Sequence, residues 1–203
     1  MRRIAVTWKI PLGRFCLLFL ILYPCTILAQ TGTPTAVVKS LVQAVQMIKD
    51  EDTHKAEASK AKQTANTLLA LPELSRRSLD SYWDKLTPEE RTRFLQLFTA
   101  LLEEVAYPKA GEFFADLTVH FEGEEVQGDT ALVRTTVIHE TEGKIAIDYE
   151  LRRRNGQWII WDIYLDDVSL ATNLYTQFQE ILAENPFAEL LRRMQEKLDE
   201  ARK

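Results

Sequence analysis

The chain has 203 residues, and its 25 basic against 30 acidic side chains give a net charge of −5 at neutral pH. That balance excludes the basic face on which nucleic-acid binding depends. With 46% apolar residues the chain is one that buries a core, and its length suits one domain.

The first 29 residues stand apart. Arg2, Arg3, Lys9 and Arg14 are basic, no acidic residue precedes Asp50, and the apolar run FCLLFLILY leads through Pro24 to Ala29. A basic start, a short apolar stretch and a small closing residue describe a secretory signal peptide. The run is short of the ~20 residues that span a bilayer. Pro24 in LYPC spoils a lipoprotein site, and beyond the arginine pair the twin-arginine motif is absent. The expectation is that residues 1–29 are cleaved on export to the periplasm and 30–203 form a single domain. Cleavage would leave 21 basic against 30 acidic residues, a net charge of −9, and would remove both cysteines, Cys16 and Cys25. The mature protein would then have no disulfide, and packing alone would stabilise it.

After a lead-in, QTGTPT, the residues Val38, Leu41, Val42, Val45 and Ile48 recur at helical spacing. DEDTHKAEASKAKQTAN reads as a solvated, alanine-rich helix. Leu74–Lys85 reads as a short helix carrying Leu79, Tyr82 and Trp83. Thr87-Pro88-Glu89-Glu90 is a helix start: Thr87 caps, Pro88 suits the first turn and Glu90 completes a capping box. The helix it opens carries Phe94, Leu97, Phe98, Leu101, Leu102 and Val105, and Pro108 and Gly111 are read as its end.

The period then changes to two. Residues 117–126, 130–140, 144–153 and 157–166 read as four strands, the last two joined by Asn155-Gly156, a pair suited to the positive φ angles of a tight hairpin. Alternation in the third puts Ile145, Ile147, Tyr149 and Leu151 on one face. The fourth is apolar on both faces: Trp158 and Ile160 on one, Ile159, Trp161 and Ile163 on the other. Both must be kept from water. Two more helices follow, one with Leu170, Leu174, Phe178, Ile181 and Leu182, the other, after Asn185-Pro186, with Phe187, Leu190, Leu191, Met194 and Leu198. Helices, an antiparallel meander, then helices: the class is α+β.

Enzymatic chemistry is sparsely supplied. Outside the leader there is no cysteine, His54, His120 and His139 form no metal-ligand array, and no glycine cluster cradles a phosphate. The strongest catalytic candidate is Asp162, a carboxylate among apolar neighbours in the fourth strand, where desolvation would raise its pKa. The competing reading is that it pins a helix to the sheet through backbone amides or an arginine. Neither cofactor nor metal is called for.

Two stretches carry a resemblance. WIIWDIYLDDVSL followed by NLYTQF (residues 158–170 and 173–178) is similar to the signature of the MlaC-type, toluene-tolerance family, roughly W-x-V-Y-D-V-x-x-x-G-V-S-L and N-Y-R-x-Q-F. Leu79-Asp80-Ser81-Tyr82-Trp83 with Leu86-Thr87-Pro88-Glu89-Glu90-Arg91 resembles the family's A-L-G-x-x-W and L-T-P-E-Q-R region. Asp167 and Asp80 stand where the family has Gly, and Thr176 where Arg is common.

The resemblance implies an NTF2-like fold, a curved four-stranded antiparallel sheet wrapped by helices around an apolar pocket. It implies a non-enzymatic periplasmic carrier that encloses phospholipid acyl chains. Such a carrier shuttles lipid between an outer-membrane lipoprotein complex and an inner-membrane ABC transporter with an MCE-domain protein, a role in outer-membrane lipid asymmetry and toluene tolerance. On that reading one face of the last strand meets helices and the other encloses lipid. The lining candidates are then Val119, Val133, Val137, Ile147, Tyr149, Trp161 and Ile163 from the strands, with Tyr82, Phe94, Phe98, Leu101, Tyr175 and Phe178 from the helices. Three alternatives stay open: a hopanoid-linked lipid carrier, an NTF2-like enzyme using Asp162, and a protein-binding periplasmic adaptor.

Overall fold

The computed structural model describes residues 32–48, 54–139 and 143–203. The leader expected at 1–29 lies outside them. Helix α1, Pro34–Met47, starts at Thr33, whose hydroxyl accepts from the Ala36 amide, with Pro34 in the first turn. Its Val38, Leu41, Val42 and Val45 are buried. Helix α2, Lys55–Leu68, is less solvated than its composition suggests. Ala58, Ala61 and Ala65 form a buried stripe, whose small side chains let α2 lie close against α1. Helix α3, Leu71–Leu79, ends at Asp80, with φ +48°, and gives way to a 3-10 turn at Asp80–Lys85.

Helix α4, Pro88–Leu101, carries the expected capping box. The Glu90 amide donates to the Thr87 hydroxyl at 3.2 Å, and the Thr87 amide to the Glu90 carboxylate at 2.9 Å. The helix does not end at Pro108. It widens into a π-turn, Leu102–Ala106, and resumes as α5, Tyr107–Phe114. A proline inside a helix lacks an amide and crowds the carbonyl four residues back. Just after the π-turn, Pro108 falls in the first turn of α5, where that loss is absorbed. Gly111 is a buried position within α5.

Strands β1 (Val119–Gln127), β2 (Thr130–His139), β3 (Gly143–Arg154) and β4 (Gln157–Leu165) form the antiparallel meander, and a fifth, β5 (Val168–Ser169), extends it in the order β1-β2-β3-β4-β5. Asn155 and Gly156, at φ +50° and +79°, make the β3–β4 turn. The unforeseen β4–β5 turn uses Asp166 and Asp167 at φ +44° and +67°. Asp166 offsets part of that strain: its carboxylate accepts from the Ala146 amide and its own amide donates to the Ala146 carbonyl, both at 3.0 Å. Helices α6 (Leu170–Glu184) and α7 (Phe187–Ala201) complete the chain.

The double-sided hydrophobicity of β4 has a simple cause. Glu150 pairs with Asp162 but its neighbour Leu151 pairs with Ile160, so Trp161 is an extra residue in a β-bulge. A bulge shifts the alternation by one. Trp158 and Ile160 face inward before it, beside Leu151, and Ile163 and Leu165 face inward after it, opposite Tyr149 and Ile147. Trp161 is thereby turned to the outer face, where the Arg152 guanidinium lies 3.9 Å from its ring centroid and that of Arg77 at 5.3 Å.

Two apolar clusters result. One lies between the inner sheet face and α1, α2 and α5. The other is all-helical, built by α3, α4, α6 and α7 around Phe94, and half-buried Leu102 packs against both.

Candidate functional site

An apolar cavity of ≈330 Å³ opens between the inner face of the sheet and the helices. Leu41, Val42 and Val45 of α1 form one wall, and Leu102, Ala106, Tyr107, Ala110, Phe113 and Phe114 another. Ile147 and Tyr149 of β3 with Ile163 and Leu165 of β4 form the sheet side, and Leu69, Leu74 and Leu170 contribute from the segments that flank it. The helical widening at 102–106 directs the α5 side chains here: Phe113 and Phe114 meet edge to face at 5.1 Å. Ala106, Lys109 and Leu165 line the cavity yet are exposed, which places the mouth among them.

Only two side chains besides Tyr149 bring polar atoms to this wall. Lys109 sits at the mouth. Tyr107 donates its hydroxyl to the Asn66 side-chain carbonyl at 2.8 Å, and Asn66 in turn donates to Glu103, tying α2 to the π-turn. Burial, with Glu103 adding, holds the Tyr107 hydroxyl protonated well above the ordinary tyrosine range. Tyr149 is 2% exposed, and burial, with Asp148 adding, raises its pKa in the same way.

Of the expected lining residues, the structure brings Ile147, Tyr149 and Ile163 into the cavity wall. Val133 and Val137 lie wholly buried in the same cluster, packed rather than facing the cavity. Val119 is half-buried on β1 beside a surface groove that includes Lys39 and Phe121. Tyr82, Phe94, Phe98, Leu101 and Phe178 belong to the other, all-helical cluster. There Phe94 stacks on Phe98 at 5.9 Å and meets Phe178 edge-on at 5.6 Å, and Tyr82 stacks on Phe187 at 5.8 Å. The aromatic stripe of α4 therefore faces the terminal helices, not the sheet. Tyr175 is exposed on α6 in a polar cleft with Arg77 and Asp80. Trp161, placed inward by simple alternation, is outward because of the bulge.

Sequence reasoning misses α5 as a wall because Pro108 reads as a helix end. The signal was present: Ala106, Ala110, Phe113 and Phe114 continue the apolar spacing of α4. Leu41, Val42 and Val45 carry only a helical core spacing in the sequence, which does not distinguish a pocket wall from packed core.

Asp162 is 2% exposed and fully engaged. One oxygen accepts from Arg77 at 2.6 Å and Ser169 at 2.7 Å, the other from the amides of Ile163 at 2.9 Å and Ala171 at 3.2 Å. Those partners come from α3, β4 and the start of α6, so the carboxylate joins two helices to the sheet, as the second reading of this residue supposed. Among the described residues, no group of three or more His, Cys, Asp or Glu could hold a metal ion, and no helix is long and apolar enough to cross a membrane.

Fold and cavity together define an α+β protein with an open antiparallel sheet and a buried apolar chamber. A family model described as MlaC protein matches residues 35–196, and the chain belongs to that family. The fold is similar to that of a phospholipid-binding protein from Ralstonia solanacearum, solved in complex with a phospholipid, at a TM-score of 0.68 and 21% identity over 83% of this chain and 98% of that one. A protein named as a candidate NTF2-like transpeptidase from Campylobacter jejuni aligns at a TM-score of 0.36 and 10% identity over 64% of this chain and 98% of that one, a likeness too slight to carry an argument. No curated protein matches the sequence.

Proposed function

We propose that this chain is a non-enzymatic phospholipid carrier, exported by its N-terminal segment, that shelters acyl chain in the chamber between sheet and α5. The observation that carries the proposal is the apolar chamber itself, open at one end where a single cation stands. At ≈330 Å³ it is within the ~300–1,000 Å³ of ligand pockets. Left dry and empty, such a volume is a heavy liability to a marginally stable fold. Family membership and the phospholipid in the Ralstonia relative support the same ligand class for this chain.

Transfer follows from energetics. At ~0.8 kcal/mol per methylene, a chain of ~16 carbons resists release into water by about 13 kcal/mol. Lipid therefore leaves by direct contact with a membrane-bound partner: an outer-membrane lipoprotein complex on one side and an inner-membrane ABC transporter with an MCE-domain protein on the other. A mature net charge of −9 suits a shuttle that does not rest on anionic lipid.

The test has two parts. Fractionation of the native host is expected to find the protein in the periplasm, processed near Ala29. Ala110→Trp, which fills the chamber from α5, is expected to remove co-purifying lipid while leaving the circular dichroism spectrum unchanged. Full lipid loading in a folded Ala110→Trp protein would exclude the chamber as the binding site.

A further inference from the structure

The size of the chamber limits what it can enclose. In another protein an engineered cavity of about 150 Å³ is filled by benzene, so on that scale ≈330 Å³ houses about 13 carbons. Two chains of ~16 carbons would need ~800 Å³, more than twice that space.

The surroundings offer a second chain no other dry seat among the described residues. Val133 and Val137 are wholly buried in the same cluster, and beyond Leu102 the rings stacked around Phe94 fill the helical cluster. Toward β4 a further void, bounded by Leu69, Leu74, Ile163 and Leu170, measures ≈10 Å³, room for about one water. On the far side of α1, past Val42, the groove carries Lys39, Gln43 and Gln46 and lies open to solvent, so a chain laid there stays wet.

The helical wall is also tied at both ends. At the start of α5 the Tyr107 hydroxyl donates to Asn66 of α2 at 2.8 Å, and at its end the Gln46 side-chain amide of α1 donates to the Phe114 carbonyl at 3.0 Å. Swinging α5 outward to double the chamber breaks both ties.

Resting on the carrier reading above, we infer that the chamber is sized for a phospholipid with a single acyl chain, and that the two ties on α5 set this limit. A two-chain phospholipid encloses one chain here and leaves the other in water, whereas a bilayer covers both, so it stays in the membrane. A free fatty acid shares the single chain and differs in the head left at the mouth.

The experiment titrates delipidated full-length mature protein with monomeric lysophosphatidylglycerols carrying decanoyl, lauroyl, myristoyl, palmitoyl or stearoyl chains, and with myristate. Affinity is expected to rise about fourfold per methylene through lauroyl and to level off from myristoyl onward. Ala110→Leu, which adds bulk to the wall, should bring the levelling down toward decanoyl, and Leu41→Ala, which opens space, should move it toward palmitoyl. Equilibration with mixed vesicles of myristoyl lysophosphatidylglycerol and dimyristoyl phosphatidylglycerol should load the single-chain lipid by about tenfold or more, since two methylenes left wet account for that. The double variant Gln46→Ala, Tyr107→Phe frees α5 and should cut this preference about tenfold, the worth of two hydrogen bonds. Circular dichroism checks each variant, and the wild-type series decides by itself if one fails to fold. Affinity that climbs fourfold per methylene through stearoyl, or equal loading of the two vesicle lipids on wild type, overturns the inference and leaves the carrier reading standing. Tighter binding of myristate than of its lysophospholipid overturns it in favour of a free fatty acid. Failure of wild type to bind any of these lipids overturns both.

Discussion

Removing the lipid should cost the fold dearly, and the cost follows from the chamber. An unfilled apolar cavity destabilises by about 24 cal/mol per Å³, so ≈330 Å³ corresponds to about 8 kcal/mol. Whole-domain stabilities are about 5–15 kcal/mol, so this is half or more of what such a fold has to lose. Water entering at the mouth and closure of α5 against β3 reduce the figure, so it is an upper bound. At roughly 2–4 °C per kcal/mol for a domain of this size, delipidation is expected to lower Tm by up to about 16–32 °C. The assay is differential scanning calorimetry of detergent-free protein before and after extraction with organic solvent and refolding, with re-addition of lipid as the reversal. Ala110→Trp is the internal control: by filling the chamber it should lift the delipidated protein toward the loaded one and no longer respond to added lipid. If the loaded and delipidated proteins melt within about 2 °C of each other, the chamber is not maintained by a ligand and the reasoning fails.

Asp162→Asn keeps the side chain's shape but loses the ion pair with Arg77, so chemical denaturation should show a loss of about 2–4 kcal/mol with co-purifying lipid unchanged. Lost lipid at full stability would instead put Asp162 at the ligand. Asp80→Gly relieves a φ of +48° that an L-residue adopts only under strain, and should stabilise the protein by about 1 kcal/mol in the same titration. No gain there would mean that the Asp80 side chain offsets its own backbone cost. Burial holds the Tyr107 and Tyr149 hydroxyls above their ordinary value of 10.0. The unfolded chain would therefore release these protons first, so their contribution is fully present below pH 10 and drains as pH rises above it. Tyr149→Phe should flatten the alkaline loss of stability, and phenolate absorbance from these two residues should rise only with unfolding. A smooth phenolate titration of the folded protein near pH 10 would contradict their burial.

The elements whose cause is local were legible in the sequence. The Thr87–Glu90 capping box and the Asn155-Gly156 turn follow from neighbouring residues alone, and both stand as expected. The misread features are those in which one residue overrides a pattern. Pro108 normally stops a helix, but the π-turn before it moves it to a first turn and extends the wall of the chamber through α5. Trp161 normally keeps strand alternation, but as a bulge residue it reverses it, which is why both faces of β4 look like core. The turn at Asp166-Asp167 was invisible because aspartate is an unusual choice at two positive φ angles. The resemblance held a clue: Asp80 and Asp167 stand where its pattern has Gly, and both adopt the positive φ that glycine favours.

The site was partly legible for a different reason. Phe94, Phe98 and Phe178 have the composition of a pocket wall, but they fill the helical cluster, and nothing in composition separates a packed core from a lined chamber. Strand residues fared better. Ile147, Tyr149 and Ile163 share the inner face by register, and register follows from alternation wherever a bulge does not intervene.

The most direct test of the carrier reading is mass spectrometry of the organic extract from protein purified without detergent from its host's periplasm. The account predicts near-stoichiometric phospholipid in wild type and its loss in Ala110→Trp. An extract empty of lipid, from a preparation in which a known lipid carrier retains its own, would contradict it.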